Sequence, residues 1–185
     1  MSDLDATIRM LADRQAIRDC LATYCRAVDR LDRELLLSVY HEDAIDDHGV
    51  FVGSREEFAD WVIAFHGRAQ HATQHIITNH VCELDGDTAH CETYWMFAAM
   101  NTQGEPLTLS GGRYIDRFER RDGRWAIALR KLVGDWAGTP GGALLSGEGR
   151  AALNSGVHQS RDRSDTSYER PLRFDERRRG FIYDI

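Results

Sequence analysis

Apolar residues in the first part of the chain fall at helical spacing. Ile17, Leu21, Tyr24, Val28 and Leu31 step by four and three, one buried stripe, and predict a helix over residues 13–31. A shorter helix is expected before it, starting near Ser2, because Ser2 and Asp5 have capping-box spacing. A further helix over 33–40 carries Leu35, Leu36 and Val39, with Asp32 as its N-cap. Residues 44–53 read as a short strand ending in a turn. Ser54 and Glu57 then form a second capping box, opening a helix whose buried face is Phe58, Trp61, Val62 and Phe65. Beyond it the pattern becomes that of strands, over 72–84, 88–100, 107–120 and 124–136. Asp85-Gly86-Asp87 and Arg121-Asp122-Gly123 mark hairpin turns. Helices followed by an antiparallel meander predict an α+β fold.

Strand alternation sorts side chains by face. His75 shares a face with Ile77, Asn79 and Val81. Tyr94 and Met96 share one with His90 and Glu92, while Trp95 and Phe97 lie on the other. Both faces carry apolar bulk, so this strand is covered on both sides. Gly112, Tyr114 and Asp116 share a face on the next strand. Arg130 and Lys131 are adjacent on the last and point opposite ways. An inward arginine needs a buried acid or an anionic ligand group.

Length and charge narrow the function classes. A chain of 185 residues fits one domain with an appendage. A net charge of -7 makes a poor footprint for nucleic acid, and no apolar run approaches the roughly 20 residues of a membrane span. The acidic N-terminus lacks the pattern of a secretory leader. With Cys20, Cys25, Cys82 and Cys91 forming no C-x-x-C pair, reduced core thiols and a cytoplasmic location are expected. After Gly138 the chain turns Gly-rich, with neither dinucleotide nor Walker spacing, so it is read as a linker and no cofactor is expected. The charged tail, with isolated Tyr168, Leu172, Phe174, Phe181 and Ile182, cannot build its own core; it is either disordered or lies along a neighbouring subunit.

The chemical candidates are few. Asp29 falls about 120° from the centre of the apolar arc of its helix, near a C-terminus whose dipole does not favour an anion. From position alone it is either a boundary acid reaching solvent or Arg33, or a buried acid serving a histidine. His71 and His75 have H-x-x-x-H spacing, with His80 nearby. On a strand, however, i and i+4 are two pleats apart, and no acid sits in the cluster, so no metal is expected. A histidine facing a cavity opposite a buried aspartate would have its tautomer fixed and serve as a general base. Ser110 lacks a nucleophile-elbow context.

The segments YCRAVDRLD, TQHIITNH and RYIDRFERRDGRWAIALRK resemble the SnoaL-like branch of the nuclear-transport-factor-2-like (NTF2-like) superfamily over about residues 8–136. The resemblance implies an α+β cone over 1–137: helices packed on a strongly curved, mostly antiparallel sheet that encloses a pocket. Residues 138–185 remain as linker and tail. It places an Asp–His dyad on Asp29 and His75, the dyad arginine on Arg130, and a carbonyl-polarising tyrosine on Tyr24, where dehydrochlorinase-like members have lysine. Trp61, Phe65, Tyr94, Met96 and Tyr114 fall at substrate-binding positions. The function implied is a cofactor-independent dehydratase or isomerase acting on a hydrophobic cyclic substrate, steroid-like or polyketide-like, in a homo-oligomer, as a trimer or a dimer. The family also holds polyketide cyclases, non-catalytic ligand-binding proteins and structural subunits of ring-hydroxylating dioxygenases, and these are the alternatives.

Overall fold

The computed structural model describes residues 2–141, 158 and 160–169. Two compact units divide at Gly141, beyond the expected boundary at 137. The first opens with α1 (Asp3–Asp29), one continuous helix where two were expected. Ser2 caps it in the expected box with Asp5, and nothing between residues 5 and 13 breaks it. Its first turns are exposed, and burial begins at Ile17, where the apolar stripe meets the sheet.

Two backbone hydrogen bonds end α1. The Leu31 N–H donates to the Val28 carbonyl and the Asp32 N–H to the Ala27 carbonyl, a Schellman stop with Leu31 at φ 55°. Asp32, freed from that helix, caps α2 (Arg33–Ser38) through its carboxylate and the Leu35 N–H. The strands β1 (Tyr40–Asp47) and β2 (Val52–Ser54) follow, then α3 (Arg55–Ala69), started by the Ser54–Glu57 capping box. The meander is β3 (Gln70–Asp85), β4 (Thr88–Asn101), β5 (Leu107–Arg121) and β6 (Arg124–Gly138).

The sheet runs β2-β1-β6-β5-β4-β3, antiparallel except where β1 lies parallel to β6. Helix α1 packs on β3 and β6, and α3 on β1, β2 and β3, so both cover one face of a curled, unclosed sheet. Their shared core joins Ile17, Leu21, Tyr24, Val28, Leu36 and Phe58 to Tyr114, Phe118 and Ile127. No helix among the described residues is long and apolar enough to cross a membrane.

Bulges curve the sheet and reset its faces. One lies in β3 between Ile77 and His80. Before it His75 and Ile77 point inward; after it Cys82 does, and Val81, expected on the face of His75, is turned out. Another lies at Gly111/Gly112, where β5 bends against β6. A Cβ at Gly112 would stand 1.9 Å from the Val133 carbonyl oxygen and 2.9 Å from the Trp95 ring.

In the second unit the described residues include a short 3-10 turn, Thr166–Tyr168. The Gly-rich stretch 142–150 and the charged residues 170–185, on which the linker and tail readings chiefly rest, lie outside the described residues.

Gly112→Ala is expected to cost about 2–3 kcal/mol, because the obstacle is a backbone carbonyl and not a movable side chain. Urea titration measures it; an unchanged midpoint would mean the bend at Gly112 is not needed.

Candidate active site

Because the Schellman stop fixes where α1 ends, its last residue, Asp29, reaches across to the edge strand β3. Edge strands leave backbone groups without a ladder partner. Here the His75 N–H finds one in the Asp29 carboxylate, at 3.2 and 3.0 Å to its two oxygens. The His75 ring turns the same way, with Nδ1 2.7 Å from Asp29 Oδ1. Both side chains are largely buried, at 9% and 14% exposure. A carboxylate on Nδ1 assigns the proton to that nitrogen in the neutral ring and leaves Nε2 as the basic atom.

The ring edges a cavity of about 130 Å³. Helix α3 supplies Trp61, Val62, Phe65 and His66 to its wall; the sheet supplies Trp95, Phe97, Ser110, Tyr114 and Leu132. His48, two residues beyond Asp46 at the end of β1, closes one side. The surface is largely aromatic, with Trp61 stacked between Phe51 and Phe65 at 5.0 and 5.8 Å. The Trp95 Nε1–H is buried and has no hydrogen-bond partner among the described residues.

Of the residues expected at substrate-binding positions, Trp61, Phe65 and Tyr114 line this cavity. Tyr94 and Met96 do not: they are on the outward face of β4, each 41% exposed, and their places are taken by Trp95 and Phe97. The resemblance puts Tyr94 and Met96 on the wall; with apolar residues on both faces, strand alternation gives no preference between them. Tyr24 and Arg130 are also absent from the wall. Tyr24 is buried beneath it, 5.6 Å from the Tyr114 ring, and burial pushes its phenol well up, so the hydroxyl stays protonated.

Arg130 is fully buried and belongs to an internal ion pair. Its Nε and Nη2 donate to the two oxygens of Asp116, both at 2.8 Å, and its guanidinium lies between the rings of Tyr24 and Tyr114 at 4.2 and 4.0 Å. The partner it required is a protein acid, so the expected grip on a leaving group is not the geometry found. Burial works against the charge of Arg130, but Asp116 and the neighbouring tyrosines hold it protonated. Burial pushes the Asp116 carboxyl up, against the pull of the guanidinium.

The sequence reading passed over His48, His66, Trp95 and Phe97. His48 carried a usable signal, since Asp46 and His48 at i and i+2 share a face of an extended chain. They are hydrogen-bonded, Nδ1 to Oδ1, at 2.6 Å. His66 bonds Gln70 at 3.0 Å and its ring stands 5.4 Å from that of His75. Cys25, one turn before Asp29, is no nucleophile, because burial pushes its thiol to about 12. Among the described residues His80, Cys82 and Cys91 bring ligand atoms within 4.8 Å of one another. Burial first, and then the nearby charges of Arg18 and Arg14, push the His80 imidazole toward its neutral form.

The sequence profile of the SnoaL-like domain matches residues 9–131. The chain belongs to the SnoaL-like family. Among solved structures it is similar to LinA, at 26% identity and a TM-score of 0.71, covering 79% of this chain and 99% of that one. It is also similar to hexachlorocyclohexane dehydrochlorinase LinA-type3 from Novosphingobium barchaimii LL02, at 25% identity and a TM-score of 0.69, over 78% and 99%. A protein from Novosphingobium aromaticivorans provisionally named scytalone dehydratase has a TM-score of 0.66 over 76% and 95%; at 18% identity that likeness shows the fold alone. No curated protein matches the sequence.

For this SnoaL-like protein, Arg130→Leu is expected to cost about 3–5 kcal/mol, because it strands the buried Asp116 carboxylate. Adding Asp116→Leu should recover much of that loss. Denaturant melts of the single and double variants check it; a single variant as stable as the parent removes the ion pair from the structural account.

Proposed function

We propose that this SnoaL-like protein is a cofactor-independent lyase or isomerase that takes a proton from a carbon next to a carbonyl in a small hydrophobic ring compound. The observation carrying this reading is the 2.7 Å bond between His75 Nδ1 and Asp29 at the edge of an aromatic cavity. His75 Nε2 is the base. Asp29 fixes the tautomer and compensates the charge that arrives with the proton. The developing enolate oxygen needs a donor; the Trp95 Nε1–H and the Tyr24 hydroxyl are both buried and unpartnered among the described residues, and Trp95 belongs to the wall. The apolar wall excludes water, which strengthens each of these interactions.

Cavity size revises the expected substrate. An apolar cavity of about 150 Å³ holds benzene, so about 130 Å³ suits one six-membered ring; a steroid nucleus would extend through the mouth. The dehydrochlorinase relative carries a hexachlorocyclohexane in its name, a single ring that loses a proton and a leaving group. A binding module or structural subunit has no need of a carboxylate-held histidine in its cavity, and this favours catalysis over those alternatives. The dyad would equally suit a cyclase.

The reading includes self-association, with a trimer favoured by the family. In support, the outward face of the sheet exposes Ile76, Tyr94 and Met96, each about 40% accessible. Met96→Glu, placed on that face, is expected to yield monomers in sedimentation velocity, and an unaltered assembly would refute that interface.

The reaction is tested with cyclohexanone and 3-hydroxycyclohexanone. Wild type should exchange the α-hydrogens of the first in D₂O and release cyclohexenone, seen by its ultraviolet absorbance, from the second. His75→Gln should slow both by roughly 10²–10⁴-fold, and Asp29→Asn should slow both in the same direction. Absence of α-exchange by wild type, or its persistence in His75→Gln, sinks the proposal.

A further inference from the structure

The cavity holds a second histidine built in as the first is. His48 follows β1, and its Nδ1 lies 2.6 Å from Asp46 Oδ1, with the side chain only 14% exposed. Asp46 is completely buried, and its other oxygen accepts the Tyr40 hydroxyl at 2.5 Å. Burying a carboxylate costs several kcal/mol unless its partners compensate. Here one partner is a core tyrosine and the other a histidine on the cavity wall. The loop that carries His48 is pinned as well: its N–H donates to the Phe51 carbonyl at 2.7 Å and its carbonyl accepts from the Val50 N–H at 2.8 Å. With Nδ1 committed to Asp46, Nε2 is the atom left for a ligand.

The two rings have different company. His75 stands 4.8 Å from the Phe97 ring and 5.4 Å from a third imidazole, His66. Among the described residues His48 has no imidazole neighbour of this kind: it stands 4.8 Å from the Phe58 ring and 6.1 Å from that of Trp61, with the fully buried Asp46 carboxylate behind it.

We propose that His48, held by Asp46, is the acid of this site: the group that protonates the departing oxygen while His75 takes the carbon-bound proton. The inference rests on the lyase reading above. In the step, His75 Nε2 accepts a proton from the carbon beside the carbonyl. The electron pair of that C–H bond becomes the new C=C bond. The C–O bond at the next carbon breaks, its pair stays on oxygen, and that oxygen takes the Nε2 proton of the His48 imidazolium. Water leaves, and solvent returns the proton from His75 to His48, so the ketone loses one H₂O with no oxidant or co-reactant.

An acid is needed for a hydroxide leaving group and not for acetate, and the test uses that difference. Three reactions are followed: α-exchange of cyclohexanone, water loss from 3-hydroxycyclohexanone, and acetate loss from 3-acetoxycyclohexanone. His48→Gln should slow the second by roughly 10²-fold or more relative to the first and third, whatever common loss all three share. Asp46→Asn, which keeps the shape of its parent, should show the same split, and circular dichroism confirms that each variant folds. Equal slowing of all three reactions, or unimpaired water loss in His48→Gln, overturns the role of His48. Wild type that exchanges α-hydrogens yet releases no water also overturns it. Loss of α-exchange in wild type overturns the lyase reading instead, and the acid falls with it.

Discussion

The contact between the end of α1 and the edge of the sheet organises this molecule. A sheet that stays open must satisfy its last strand, and a helix that stops must leave its terminal residue somewhere. The Schellman stop at Leu31 meets both needs by placing Asp29 against β3, where its carboxylate takes a backbone N–H and an imidazole N–H from one residue. A single side chain thus ties helix to sheet and orients the ring at the cavity. Asp32, three residues later, serves only the helix that follows.

Beneath the aromatic wall lies a layer of buried charge. Arg130 and Asp116 sit opposite one another on neighbouring strands, between two tyrosine rings, and Asp46 holds Tyr40 and His48 nearby. Such a layer is costly to assemble and rigid once assembled, since each member is held by a partner that has few other places to go. Its effect on the cavity is indirect. It fixes Tyr114 and His48 from behind, so the apolar wall need not fix them itself.

What the sequence made legible follows from how local each signal is. Both capping boxes and the Asp32 cap depend on contacts within three or four residues, and all three are where the pattern put them. The α+β order depends on periodicity along whole segments and was equally readable. Faces in β3 were not, because the bulge at Ile77/His80 reverses the alternation without a composition signal strong enough to locate it, whereas on β5 Gly112, Tyr114 and Asp116 share the inward face as the alternation had them. On β4 both faces are apolar, and only the packing of the helices decides that Trp95 looks inward and Tyr94 outward. The partner of Arg130 was within reach, because Asp116 shares a face with Tyr114 on the adjoining strand. Cavity volume was not, since it depends on how closely the rings of Trp61, Phe65, Trp95 and Phe97 converge.

The double duty of Asp29 bears on how such proteins diverge. Its bond to the His75 backbone survives any change of the imidazole, because an N–H remains whatever side chain stands at 75, proline excepted. A descendant that gave up chemistry would lose its histidine freely yet stay under selection to keep the aspartate, as the clasp of an otherwise open sheet edge. On the proposed reading, then, the acid answers to architecture and the histidine to activity, and a lineage that had become a mere binder or scaffold would be recognised by the second residue, not the first.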